Sequence, residues 1–420
     1  MIAYAQALET VLAAATPLQA ETAEVADAAG RTLAVAVRSP QDLPPFDNSA
    51  MDGFALRCAG QRIDAGCEFD VRGWQAAGDA HVSAGAGDGA WEIMTGARLP
   101  GGLDSVVPVE QVQIIGEASA RPSRIRLREA VEPGQFVRLR GQDVVDGERV
   151  LPAGTRLETN AVALLHALGV ARVSVVRRPS AAVISTGSEL VGDAGRALES
   201  GQIRDSNQPY LVARLCSAGC DIAWQGAVGD QVEAFDRALD EAVAAGAQVI
   251  LSTGAVSAGR YDFIPAALRA RGARILFHKV AIRPGKPILF ARLPAGALYF
   301  GLPGNPASAA VGQRFFVEPA LRRMLGLPPE AALSLPLQRE VRIPQGLRFH
   351  ARARVELDAD GALSVRVLAG QESFRLASSL AANAWAVLDA GTETISGGSQ
   401  VQVYGLGHAE PLRITPQERA

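Results

Sequence analysis

Surplus charge, aromatic side chains, paired histidines and long apolar runs are all scarce in this chain of 420 residues, and each scarcity removes a class of function. With 41 basic against 44 acidic residues the formal charge is −3, so no excess of cations is left to neutralise a nucleic-acid backbone. Aromatics make up only 5%, which leaves little for bases to stack on, and no nucleic-acid partner is expected. The four cysteines (Cys58, Cys67, Cys216, Cys220) are too few and too irregular for a disulfide framework and form no C-x-x-C zinc pair. They read as small core or surface residues. His81, His166, His278, His350 and His408 lie far apart without ligand spacing, which argues against a histidine-based metal site. No stretch reaches the ~18 consecutive apolar residues of a membrane helix. The first ten residues lack the basic start and continuous apolar core of a secretory signal. No membrane partner is therefore expected, and the cytoplasm is the expected location.

What is present is an ordinary soluble composition, 48% hydrophobic, in a chain long enough for roughly two to four domains of ~100–200 residues. Residues 3–15 are rich in Ala and Leu and read as a helix, and "GRTLAVAVRSP" alternates like a strand until Pro40. From about 54 to 140, short runs such as "WEIMTG" and "SRIRLRE" between glycine clusters suggest a small all-β module. "ETNAVALLHALGV" has helical spacing with Thr159 or Asn160 as N-cap, and "ARVSVVRRP" follows as a strand. The β module therefore reads as an insertion. Between about 175 and 326 the pattern becomes strand, glycine turn, helix, repeated, which predicts an open α/β sheet with mostly parallel strands. After "GLPPEAALSLP" alternation returns and predicts a C-terminal β domain of ~85 residues.

Ligands in open α/β sheets collect beyond the carboxyl ends of the strands. Three strand ends here carry distinctive loops: "ISTGSEL" at 184–190, "LSTGAVSAGRYD" at 251–262 and "GLPGNPASAA" at 301–310, the last with Asn305 as N-cap and Pro306 as first helical residue. Small residues and exposed helix N–H groups suit phosphate or another oxyanion. Singly, each is also an ordinary connection; together they suggest a ligand with more than one anionic group. None is a P-loop, because G-x-x-x-x-G-K-[ST] is absent. "FHKVAIRPGKPILF" (277–290) sets Lys279, Arg283 and Lys286 around a proline-restricted turn, either as cations fixed for a polyanion or as a solvated loop. Asp47, Asp52, Asp143, Asp205, Asp230 and Asp262 offer hard oxygen ligands of the kind that, with substrate phosphates, Mg²⁺ requires.

"PPFDNSAMDGFA", "IMTGARLP", "RGQD", "ISTGSEL", "GQIRDSN", "HKVAIRPGKP" and "GLPGNPASA" follow one another in this order. By these motifs the chain resembles, nearly end to end, the MoeA family of molybdopterin molybdenumtransferases, to which the C-terminal domain of gephyrin also belongs. The resemblance implies a multidomain α/β plus β fold. Residues 1–20 would be a helix packing on the α/β domain, 21–45 with 141–174 an elongated segmented domain and 46–140 an inserted β domain. Residues 175–326 would form a molybdopterin-binding α/β domain with a parallel-rich sheet, and 327–420 a C-terminal β barrel.

The same resemblance implies insertion of molybdate into adenylylated molybdopterin with Mg²⁺-dependent release of AMP. It further implies a homodimer with a cross-subunit active site, and molybdopterin adenylyltransferase and recipient molybdoenzymes as partners. Asp52, Asp143 and Asp262 are implied as catalytic and metal-site carboxylates, with Lys279 and Lys286 as catalytic cations. Ligand-binding roles fall to Thr95, Gly187, Ser188, Glu189, Asp205, Ser206, Asp230, Gly254, Ser257, Arg283, Gly304, Asn305 and Ser378. In the first motif, Pro44 and Pro45 would stiffen the approach, and Gly53 would let the chain turn away from Asp52. Four positions depart from the family's usual pattern: Gln142, Ser188, Ala255 and Arg283. Of these, Ala255 would be strained if its position needs positive φ. These departures motivate an alternative, a non-catalytic molybdopterin-binding or scaffold protein of the same fold.

Overall fold

The computed structural model describes all residues except 86, 88, 119–120, 257–262, 344, 392 and 417–420, together with the side chain of 416. The chain divides into two compact units. One comprises Met1–Glu21, Gly30–Ala34 and Ser174–Ala420; the other comprises Thr22–Ala29 and Val35–Val173.

The first unit contains a six-stranded sheet in the order Asp221–Val228, Ser180–Thr186, Val249–Thr253, Leu298–Leu302, Leu289–Arg292, Arg274–His278. The first four strands are mutually parallel, and the last two pair antiparallel. The sheet is thus mixed, with a parallel centre. Strand alternation divides its apolar residues between two faces. Ala181, Val183 and Leu251 face a cluster with Ala7, Val11, Leu211, Leu215 and the Phe315–Met324 region. Ala182, Ile184, Ile250 and Tyr299 face Phe235, Leu239, Ile264 and Leu268. Helices Tyr4–Ala14, Asn207–Ser217, Pro306–Gly312 and Glu318–Met324 cover one face; Val232–Ala244 and Ile264–Ala270 cover the other.

The same unit carries the C-terminal β structure. Arg348–Leu357 pairs with Leu363–Val367 and with Ala384–Leu388; the latter pairs with Gln400–Gly405, which pairs with Leu333–Pro336. A bridge between Leu337, directly after Leu333–Pro336, and Val365 brings that strand round to Leu363–Val367 and closes the circuit as a barrel. Its interior is small and aliphatic: Ala351, Ala353, Val355, Ala386 and Val403.

The second unit holds a six-stranded sheet in the order Ser105–Pro108, Gly53–Leu56, Ala90–Ile93, Glu68–Gln75, Arg121–Leu127, Val112–Ala118, with Phe54, Leu56, Val107 and Ile125 at its core. Three local expectations are corrected. Of "GRTLAVAVRSP", only Val37–Arg38 forms a strand, because its partner Arg149–Leu151 is itself three residues long. Helix Thr159–Ala167 has Glu158, not Thr159 or Asn160, at its N-cap, with no side-chain capping bond. Gly53 opens a buried strand directly after the bend at Met51 and Asp52, and is not itself in a left-handed turn conformation. A Cβ there would stand 1.9 Å from the Val107 carbonyl oxygen, so glycine permits close strand pairing at this point.

Candidate functional site

In the first unit, the chain runs from the 180–186 strand outward to the 221–228 strand and then crosses to 249–253 on the other side. The sheet therefore has a topological switch point between Thr186 and Thr253, where the loops diverge and leave a crevice. A cleft of about 630 Å³ occupies that position. Its floor is formed by Thr186, Gly187, Thr253 and Gly254, and its walls by Glu189, Asp230, Asp205, Ser206, Gly304 and Asn305. Eight of the expected ligand residues thus come together.

Hydrogen bonds fix these loops to one another. Thr186 Oγ1 donates to the Thr253 carbonyl at 2.8 Å, the Gly187 N–H to Val228 at 3.0 Å, and the Gly254 N–H to Leu302 at 3.1 Å. Gly254 has φ +88°, and a Cβ on it would lie 2.7 Å from the Thr186 carbonyl oxygen. The Asn207 side-chain amide donates to the Gly304 carbonyl at 2.6 Å and ties the start of helix Asn207–Ser217 to the loop before Pro306–Gly312. Two helix N-termini therefore border the same space and turn the positive ends of their dipoles toward it, although their leading N–H groups are already bonded, those of Asn207 and Gln208 to Asp205 and that of Ala307 to Ser373.

The charges within the cleft are mainly negative. Asp205 Oδ1 accepts the N–H groups of Asn207 at 3.0 Å and Gln208 at 3.1 Å, which caps the helix. Its Oδ2 is buried and has no protein hydrogen-bond partner. Ser188, beside the cleft, is paired with Asp230: its N–H donates to Oδ2 at 3.1 Å, and its Oγ accepts the Asp230 N–H at 3.3 Å. Arg204 also borders the space, but its guanidinium turns back to the carbonyls of Asp193 and Arg196. Three carboxylates and two helix N-termini suit an anionic ligand accompanied by a hard cation. Among the described residues, no group of three or more His, Cys, Asp or Glu side chains forms a closed metal cage.

The expected basic residues occupy a neighbouring segment rather than the cleft lining. Just before Lys279, the His278 ring Nε2–H donates to the Val256 carbonyl at 2.7 Å, so this segment grips the loop that continues from Gly254. Lys279 has φ +74° and Ala255, which borders the cleft, has φ +50°. Left-handed backbone costs a non-glycine residue roughly 1–2 kcal/mol, so both positions are held by their surroundings. The condition for strain at Ala255 is therefore met. Its methyl packs against the apolar cluster of Phe235 and Ile264. Arg283 and Lys286 are exposed; Ile282 and Arg283 pair with barrel residues Arg348 and Phe349.

Ser378 does not line the cleft; its hydroxyl donates to the carbonyls of Gly370 at 3.0 Å and Arg375 at 3.3 Å within its own loop. That loop instead contributes Phe374 to the cleft wall, and the Ala307 N–H donates to its Ser373 carbonyl at 2.9 Å. Buried Arg352 organises the loop from behind through the carbonyls of Gly370 and Glu372, at 2.7 and 3.1 Å. Phe374 carried no signal in the sequence, because a lone aromatic in a polar loop has no periodicity. Thr186 and Thr253 were legible as strand ends, but their pairing was not.

Three expected residues belong to the second unit. The Thr95 N–H donates to Asp52 Oδ1 at 2.6 Å, and this bond holds the Asp52 carboxyl below its ordinary pKa. Asp143 is exposed, with its N–H on the Leu43 carbonyl at 2.9 Å. Asp262 and Ser257 lie outside the described residues.

Comparison with known proteins agrees with this layout. Three family profiles match in order: MoeA N-terminal region (domain I and II) over residues 2–169, probable molybdopterin binding domain over 182–323, and MoeA C-terminal region (domain IV) over 334–406. The molybdopterin molybdenumtransferase of Synechococcus elongatus is 38% identical over 413 residues, covering 97% of this chain and 100% of that protein. That of Haemophilus influenzae is 33% identical, covering 93% and 95%. The crystal structure of a molybdopterin biosynthesis MoeA protein from Pyrococcus horikoshii superposes with a TM-score of 0.78 at 27% identity, covering 96% of this chain and 99% of that one. With relatives this similar over nearly its whole length, and a cleft at the switch point of the matched molybdopterin-binding region, the chain belongs to the MoeA family of molybdopterin molybdenumtransferases.

Proposed function

We propose that this protein inserts molybdate into adenylylated molybdopterin and releases AMP with a divalent cation, Mg²⁺. The observation that carries the reading is the switch-point cleft, where two helix N-termini and the carboxylates of Glu189, Asp205 and Asp230 face one space. The positive ends of the two helix dipoles and the backbone at Gly304 would favour the phosphates, while Gly187 and Gly254, without side chains, would let them approach closely. Lys279, Arg283 and Lys286, on the segment that His278 fastens to the cleft loop, would attract molybdate. The buried, unpartnered Asp205 Oδ2 fits a hard cation, which usually takes only one or two protein carboxylates beside substrate phosphates. Such a cation would neutralise charge on the departing phosphate. The chain itself needs no strong nucleophile: it aligns two anions and excludes water, a task of positioning and electrostatics.

The homodimer, with Asp52, Thr95 and Asp143 completing across subunits the site to which Asp262 of the α/β domain contributes, is part of the same proposal. So are the division into five domains, cytoplasmic location, and dealings with an adenylyltransferase and recipient molybdoenzymes. No helix among the described residues is long and apolar enough to cross a membrane. The test is AMP release from purified adenylylated molybdopterin with Mg²⁺, with and without molybdate. Molybdate-dependent release is expected. Tight substrate binding with no AMP released would instead establish the non-catalytic binding alternative, for which strained Ala255 in the ligand loop is the structural argument.

A further inference from the structure

The basic segment does not hold its shape alone. The Lys279 N–H donates to the Ile288 carbonyl at 3.0 Å and the Val280 N–H to Lys286 at 2.9 Å, closing the turn on itself. Beyond that turn, the outer edge of the segment is taken by the N-terminal residues. The Ile2 N–H donates to the Lys279 carbonyl at 3.0 Å, and the Ala281 N–H donates to the Ile2 carbonyl at 2.8 Å, a parallel bridge centred on Val280. On the far side, the Arg348 N–H donates to the Ala281 carbonyl at 3.0 Å. Lys279 is thus gripped at both its N–H and its carbonyl while at φ +74°, a conformation lysine adopts only when its neighbours enforce it. The helix from Tyr4 to Ala14 buries Ala7 and Val11 in the same core as Val280 and Ile282, which anchors Ile2 against the segment.

We propose that Ile2 is a positioning residue of the ligand site: its main chain adds a one-residue strand to 279–281 and fixes Lys279 in the left-handed conformation that presents its ammonium to the anion. The inference rests on the reading of Lys279 as an anion-binding residue. It accounts for a lysine where glycine would be at ease, because the bracing substitutes for conformational freedom.

The test compares the full-length protein with Ile2→Pro, which deletes the N–H to Lys279, and with Ala3→Pro. Ala3 has φ −66°, which suits proline, and the bridge uses neither of its main-chain groups. Calorimetry with sodium molybdate as the probe, and hydrogen exchange of the Ala281 amide, are read in parallel. Ile2→Pro is expected to weaken molybdate binding about 2- to 10-fold, the range set by one net hydrogen bond, and to speed Ala281 exchange. Ala3→Pro should match the parent. In a Lys279→Gly background, where φ +74° is relaxed, Ile2→Pro should cause no further loss; that non-additivity separates positioning from general destabilisation. If Lys279→Ala weakens binding but Ile2→Pro does not, the positioning role is overturned while the reading of Lys279 stands. Should Lys279→Ala itself bind molybdate like the parent, both are overturned.

Discussion

Asp205 separates two roles within one side chain. Its Oδ1 caps helix Asn207–Ser217 through two N–H groups, and its Oδ2 is buried with no protein partner beside the cleft. Asp205→Ala removes both functions, and losing the cap should cost about 1–2 kcal/mol. Asp205→Asn keeps a carbonyl oxygen for the cap and loses only the negative charge near the helix N-terminus, about 0.3–1 kcal/mol. If Oδ2 serves a divalent cation, the two variants should diverge in stability but agree in function. Each should raise the Mg²⁺ concentration needed for half-maximal AMP release by at least about 10-fold, the effect typical of disturbing a metal's supporting groups. The assay is a Mg²⁺ titration of AMP release, paired with chemical denaturation of the same preparations. An Asp205→Asn protein with the parent's Mg²⁺ dependence and turnover would refute the reasoning and leave Asp205 a helix cap only.

Three further outcomes are expected. Glu318 is fully buried among Arg214 at 2.8 Å, Arg314 at 3.4 Å and His408 Nδ1 at 3.4 Å. Burial pushes its carboxyl up, but the His408 hydrogen bond and the two guanidinium groups outweigh this and hold its pKa below the ordinary glutamate value. Its contribution is therefore present above the unfolded pKa of about 4.3 and lost as pH falls through the lower folded value. Glu318→Ala should destabilise by about 3–5 kcal/mol at neutral pH, as seen in denaturation midpoints, with less of the difference remaining in acid. Gly53→Ala should cost about 1–3 kcal/mol, because the colliding atom is the Val107 backbone oxygen and cannot swing away; denaturation of the full chain measures it. Ala255→Gly relieves left-handed strain but loses a packed methyl and gains chain entropy, so stability should change by no more than about 1 kcal/mol. Because that methyl packs on the core, AMP release should change less than threefold; a larger gain would mean the methyl obstructs the ligand.

The strand, glycine and helix alternation after residue 175 determined the α/β unit, since period-2 and period-3.6 burial are written into local order. The same local grammar placed Gly187, Gly254 and Asn305 at strand ends, and their convergence follows from parallel strands sharing one carboxyl edge. Tertiary structure alone decided which side chains complete that edge. Asp205 joins it because Asn207 reaches Gly304, 97 residues away in sequence, and Phe374 because a barrel loop is held by Arg352 and the Ala307 N–H. Gly53, expected to turn, instead lets two strands approach, because pairing with Pro108 depends on a contact 55 residues distant. Lys279 could be read as a cation from the sequence. That it stands at φ +74°, braced by Ile2 from the other end of the chain, could not, because a hydrogen bond between distant backbones leaves no trace in either segment's composition.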